Sequence, residues 1–165
     1  IPIILMTYYN PVFKYGEERF ARDAAAAGVD GMIVPDLPPD EADNLIKHSR
    51  KSGLDTIFLL APTSTDSRIQ KVSRASTGFI YYVPITGITG AKLSLDASLE
   101  SHIGHIRNVT DKPIAVGFGI STPEEASSIS RYADGVIVGS AIVKRVEEPD
   151  EELRRYLLSL RNAIR

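Results

Sequence analysis

The chain has 165 residues, 43% hydrophobic and 24% charged, enough for one globular domain with a sizeable core and too few for two ordinary ones. A net charge of −2 excludes a global field that would recruit nucleic acid or an anionic membrane, and the absence of cysteine excludes disulfides and thiolate chemistry. No apolar run approaches the ~18 residues that span a bilayer and no signal-peptide pattern is present, so a reducing cytoplasm is the expected compartment.

The first residues, Ile1-Pro2-Ile3-Ile4-Leu5-Met6, already form an apolar run with no initiator methionine. Such an opening is expected of a chain that starts inside a longer protein. After this run at residues 2–6, further short β-rich runs occupy residues 31–34, 56–60, 79–83, 113–116 and 135–138. None alternates with polar residues, which suits strands covered on both faces in a parallel sheet. An amphipathic helical stretch is predicted after each run. The first covers residues 16–27, with Phe20 and an alanine-rich face, and Gly28 ends it. Pro38-Pro39-Asp40-Glu41 opens the second, where a missing proline N–H costs little, and Gly53 follows its end. Thr122-Pro123-Glu124-Glu125 combines a capping box with proline at the first helical position. No linker or composition shift interrupts residues 1–165, so a single domain is expected. Alternating strands and helices give a doubly wound sheet or a barrel.

Two glycine loops favour the barrel. Val116-Gly117-Phe118-Gly119-Ile120-Ser121 follows the fifth run and Val138-Gly139-Ser140-Ala141 the sixth. Barrels of eight βα units often bind phosphate with the loops after strands seven and eight and a short helix N-terminus. If these are those loops, residues 2–6 are the third strand. The expected fold is then a (β/α)8 TIM barrel of which the third to eighth units are present.

Glycine lets backbone N–H groups approach an anion without a Cβ in the way, and Ser140 adds a hydroxyl. The plainer alternative is a pair of tight turns, but two such loops on the last two strands point to phosphate. A Rossmann loop is disfavoured, because the third glycine of G-x-G-x-x-G is missing and the loop comes late in the chain. Ser140 is not in a G-x-S-x-G elbow, so it is a poor nucleophile candidate. The stretch 84–92, Pro-Ile-Thr-Gly-Ile-Thr-Gly-Ala-Lys, suits a lid at the catalytic face, or an ordinary loop with solvated hydroxyls. Tyr8 and Tyr81 lie at or just beyond strand ends, where they either meet an aromatic substrate or pack in the core. Asp36, also at a strand end, is either a catalytic or binding carboxylate or a turn aspartate before a proline-led helix. It has no second strand-end carboxylate to complete an acid–base pair. His102 and His105 share a helix face and His48 is mid-helix; all three read as solvated, and no metal is assigned.

The strings Leu5-Met6-Thr7-Tyr8-Tyr9-Asn10-Pro11-Val12-Phe13, Val34-Pro35-Asp36-Leu37-Pro38-Pro39-Asp40-Glu41, Ile85-Thr86-Gly87-Ile88-Thr89-Gly90-Ala91, Gly117-Phe118-Gly119-Ile120-Ser121 and Gly139-Ser140-Ala141-Ile142-Val143 stand in this order. Together they resemble the tryptophan synthase alpha subunit family. The resemblance implies cleavage of indole-3-glycerol phosphate to indole and glyceraldehyde 3-phosphate. Indole then passes to a beta subunit in an alpha2-beta2 assembly, and pyridoxal phosphate belongs to that partner, so no cofactor is expected here. By motif position Gly90, Gly119, Gly139 and Ser140 hold the phosphate. Phe118 and Leu59 line the indole pocket, Tyr81 sits beside the catalytic acid, Tyr8 lies near substrate, and Thr89 is the lid threonine. The family's catalytic glutamate and aspartate belong to strand two and the loop after it, so no catalytic residue is assigned in this chain. One departure is Ile85, at a lid position that is arginine in some relatives. The alternatives are another indole- or ribulose-phosphate barrel, which would share the glycine loops alone, or a noncatalytic phosphate-binding module.

Overall fold

Each apolar run folds as a strand: β1 Ile4–Met6, β2 Gly31–Ile33, β3 Asp55–Leu60, β4 Ile80–Tyr82, β5 Ile114–Val116 and β6 Gly135–Val136. The strands begin after Pro2 and Pro113 because proline has no N–H for the ladder. This computed structural model describes residues 1–84, 97–117 and 119–164. The chain forms two compact units, Ile1–Leu60 with Ser64–Ile80, and Ala61–Thr63 with Tyr81–Arg165.

In the first unit β1, β2 and β3 run parallel in chain order, with Leu5 opposite Met32 and Met32 opposite Thr56. Met32, Ile33, Ile57 and Leu60 are buried, as expected of strands covered on both faces. Burial of each such side chain contributes ~1.5–3 kcal/mol. The helices are α1 Tyr9–Tyr15, α2 Glu17–Ala26, α3 Asp43–Ser52 and α4 Asp66–Ala75. They close the core with Val12, Ala21, Leu45, Ile69 and Val72.

Two helix predictions are corrected. The segment before residue 16 also forms a helix, α1, with Pro11 in its first turn, where no intrahelical N–H bond is lost. Gly16 separates α1 from α2: its φ of 92° leaves the helical region, and its N–H closes α1 onto Val12 and Phe13. The prolines at 38 and 39 do not open the long helix either. They start a 3-10 turn, Pro39–Glu41, and α3 follows from Asp43. The predicted glycine stops are found, with Gly28 at φ 86° and Gly53 left-handed at the end of α3.

In the second unit β5 and β6 are parallel, and the Gly117 N–H reaches the Tyr82 carbonyl at 3.2 Å, so β4 lies beside β5. The helices are α5 Ala97–Arg107, α6 Pro123–Ser130, α7 Ser140–Val143 and α8 Asp150–Ala163. Ile103, Ile106, Ile114, Val116, Ile129 and Leu160 form its core. The capping box at α6 is present: Thr122 accepts from the Glu125 N–H at 3.2 Å, and Glu125 accepts from the Thr122 N–H at 3.1 Å. No helix of the described residues is long and apolar enough to cross a membrane.

A recurring clamp sets the strand starts. Asp30, shortly before β2, donates its N–H to the Ile3 carbonyl at 2.9 Å and accepts the Ile3 N–H at 2.7 Å. Thr77, before β4, does the same to Thr56, at 2.9 Å each way. Asp134, before β6, does so to Ile114, again at 2.9 Å each way. In each case a side-chain oxygen stands in for the next carbonyl of a ladder and locks register at a strand start.

The Asp134 clamp is also linked to pH. Partial burial pushes its carboxyl up, but the Ile114 N–H and the Arg107 guanidinium, 3.0 Å away, outweigh this and hold it below the ordinary aspartate value. A depressed folded value means stability that is present above the unfolded value of ~4 and lost as pH falls through the folded one. The pair is 40–44% exposed, so the gain is discounted to under about 1 kcal/mol. Asp134→Asn should therefore lower the unfolding midpoint at pH 7 and converge with the parent as pH falls through the folded-state value of Asp134. Thermal melts across that range check this, and a gap independent of pH would contradict it.

Candidate phosphate site

The site grows from the pairing of β5 with β6. Val116 stands opposite Val136, and the Ile137 N–H continues the ladder to the Val116 carbonyl at 2.8 Å. Parallel neighbours in register release their next residues at the same end. The loop beginning at Gly117 and the segment from Ile137 to Ser140 therefore start side by side.

Two glycines are needed here for different reasons. At Gly117 a Cβ would lie 2.6 Å from the Ile137 Cβ and 2.9 Å from the Tyr81 hydroxyl, so only glycine lets the two strand ends and Tyr81 approach this closely. Gly119 has φ 72°, a left-handed conformation that other residues adopt at a cost. Gly119, Gly139 and Ser140 are all exposed, and each carries a backbone N–H, with a hydroxyl in addition on Ser140. The helix after β6, Ser140–Val143, is short, as expected of the helix that follows such a loop. As a single turn it sums little of a macrodipole, which leaves individual N–H groups as the donors.

Tyr81 and Tyr82 point to opposite faces of β4, as strand alternation requires. Tyr81 is half-buried beside Gly117, and burial raises its hydroxyl above the ordinary tyrosine value. Tyr82 is only 1% exposed, its hydroxyl has no hydrogen-bond partner among the described residues, and burial pushes it up to about 12. In the first unit Tyr8 is 70% exposed just before α1, and Leu59 is half-buried near the end of β3. Asp36 accepts the Tyr9 N–H at 2.9 Å and so caps α1, a helix earlier in the chain and not the proline-led one that follows it. Thr89, Gly90, Phe118 and the predicted lid at residues 84–92, apart from Pro84, lie outside the described residues.

The histidines do not converge. His102 is half-buried against Tyr82, with ring centres 6.3 Å apart, so it is less solvated than expected; His105 is exposed and His48 half-buried on α3. Among the described residues no three histidine, aspartate or glutamate side chains gather as a metal site would need. What sequence reasoning missed was the tight approach at Gly117, because the pressing atoms come from residues 81 and 137. No local signal marks such a contact.

The model of the tryptophan synthase alpha chain family matches residues 1–164. This chain belongs to that family. The tryptophan synthase alpha chain of Geobacter sulfurreducens is 50% identical to it, over 99% of this chain and 64% of that relative. The solved structure of Mycobacterium tuberculosis tryptophan synthase superposes with a TM-score of 0.91 at 43% identity, over 99% of this chain and 63% of that one. A structure of the tryptophan synthase a2b2 complex from Pyrococcus furiosus does so at 0.85 and 37% identity, over 98% of this chain and 67% of that one. This member of the tryptophan synthase alpha chain family thus spans 64% of the Geobacter relative's length. Its fold is a partial (β/α)8 barrel, as the order of runs and glycine loops led one to expect.

Proposed function

We propose that the chain supplies the substrate-holding part of a tryptophan synthase alpha subunit. That enzyme is a carbon–carbon lyase that cleaves indole-3-glycerol phosphate to indole and glyceraldehyde 3-phosphate. The observation that carries this reading is the pair of glycine loops released side by side from β5 and β6 in a member of this family. Gly119, Gly139 and Ser140, with Gly90, hold the phosphate through backbone N–H groups and one hydroxyl. Leu59 and Phe118 line the indole pocket, with Tyr8 near substrate and Thr89 on the lid. Tyr81, protonated at neutral pH as any tyrosine is, offers a hydrogen-bond donor beside the reacting centre.

The bond that breaks joins indole C3 to the glycerol chain. A proton must reach C3 as the side-chain hydroxyl loses its own and becomes the aldehyde. Neither role is given to a carboxylate of this chain: Asp36, at a strand end, is engaged with the Tyr9 N–H. Indole then passes to a beta subunit that carries pyridoxal phosphate, in an alpha2-beta2 assembly, and no cofactor is assigned to this chain. The proposed compartment is the cytoplasm. Calorimetric titration with glycerol phosphate tests the phosphate reading; absence of binding would overturn it.

The partner surface is placed on α1 and the turn at Pro38-Pro39, which Asp36 ties together through the Tyr9 N–H. Phe13, exposed on α1 with its ring 5.7 Å from Tyr9, is the apolar anchor there. Phe13→Asp should weaken beta-subunit association by about 10-fold or more, as loss of an interface anchor does. Charge reversals at Lys47 or Lys51 on α3 should have little effect. Equal losses in a co-purification titration would move the interface elsewhere.

A further inference from the structure

We propose that Tyr156 is a positioning residue for the phosphate site, joining the two glycine loops from the last helix; the inference rests on the phosphate reading above. Tyr156, half-buried on α8, donates its hydroxyl to the Ser121 carbonyl at 3.0 Å. Ser121 stands two residues after Gly119, and its own N–H and hydroxyl both donate to Glu125, at 2.8 and 3.1 Å. The end of the β5 loop is therefore held at both backbone groups of one residue. Over the same tyrosine ring lies the Arg145 guanidinium, 4.2 Å from the centroid, well inside cation–π range. Arg145 also donates a long bond, 3.4 Å, to the carbonyl of Ala141, the residue after Ser140, and pairs with Glu148 at 3.9 Å. One aromatic side chain thus contacts the β5 loop through its hydroxyl and, through its face, the Arg145 side chain that bonds the carbonyl next to Ser140.

The physical need is plain. Loops built on Gly117, Gly119 and Gly139 have wide backbone freedom, and an anion must order N–H groups from both loops at once. A tie made before the ligand arrives lowers the ordering entropy that binding must overcome.

Tyr156→Phe keeps the ring and its stacking and removes only the hydroxyl. In the full alpha chain the Kd for glycerol phosphate should rise about 3- to 10-fold, the size of one neutral hydrogen bond. Affinity for indole, which has no phosphate, should be unchanged. In indole-3-glycerol phosphate turnover KM should rise with kcat unaltered. Arg145→Met, a second route that also serves if Tyr156→Phe does not fold, should show the same selective loss. The double variant should lose less than the product of the two, because both act through one ring. Gly139→Asp is the control for the site itself. If Gly139→Asp abolishes phosphate binding and Tyr156→Phe leaves it unchanged, the positioning role falls and the site stands. Equal losses for glycerol phosphate and indole would show general destabilisation and also overturn the role. If the parent chain does not bind glycerol phosphate, or Gly139→Asp binds it as well as the parent, both readings fall together.

Discussion

A polypeptide of these 165 residues is expected to bind glycerol phosphate and to release no indole from indole-3-glycerol phosphate. A positioned acid or base typically contributes ~10²–10⁴-fold to a proton-transfer step. The family resemblance puts those groups, a glutamate and an aspartate, in a segment for which residues 1–165 have no counterpart. Phosphate contacts cannot replace them, because binding ground and transition states equally well does not raise the chemical rate. Asp36 is the obvious substitute, yet it is exposed and caps α1 at 2.9 Å, a structural task that sequence alone left open. An indole-release assay on mass-verified polypeptide, with and without the family segment bearing the two carboxylates, decides the matter. Indole formed only when that segment is supplied is the expected result. Substantial turnover without it would mean that a carboxylate of this chain does the chemistry, and Asp36→Asn would be the next variant to make.

Two glycines of the phosphate site should respond to substitution in opposite ways. Gly139 has a negative φ, and among the described residues, its two chain neighbours aside, no atom lies within 4 Å of where its Cβ would be. Gly139→Asp should therefore fold, with stability changed by under about 1 kcal/mol, as for a surface position. Its carboxylate would stand beside the anion. Two like charges 4 Å apart repel by about 4 kcal/mol at an effective dielectric near 20. Exposure and salt reduce that to about 1–3 kcal/mol, a roughly 10- to 100-fold loss of glycerol phosphate affinity. Gly117→Ala is the reverse case. Its methyl would press on the Ile137 Cβ at 2.6 Å, which is no flexible side-chain tip, and on the Tyr81 hydroxyl at 2.9 Å. Overpacking of this kind costs about 1–3 kcal/mol and should lower the unfolding midpoint. Calorimetric titration paired with thermal melts separates the two, and unchanged affinity in Gly139→Asp would move the phosphate elsewhere.

By itself the sequence determined the six strands, the parallel sheet, the capping box at Thr122 and the glycine stops at Gly28 and Gly53. Each is written in a few neighbouring residues: an unbroken apolar run, a cap three residues from its partner, a glycine where φ turns positive. It also marked out the two glycine loops, because their residue types suit an anion wherever they stand. Tertiary structure alone decided the rest, since the deciding atoms are far apart in sequence. That Asp36 caps α1 depends on the Tyr9 N–H, 27 residues earlier. Gly117 is required because residues 81 and 137 press on it. Nothing in the residues around Tyr156 points to Ser121, and only packing brings its hydroxyl there, 35 residues away. Local propensity fixes an element at its own address, whereas a hydrogen bond or a close approach between elements depends on the register and packing of both, which no short window contains.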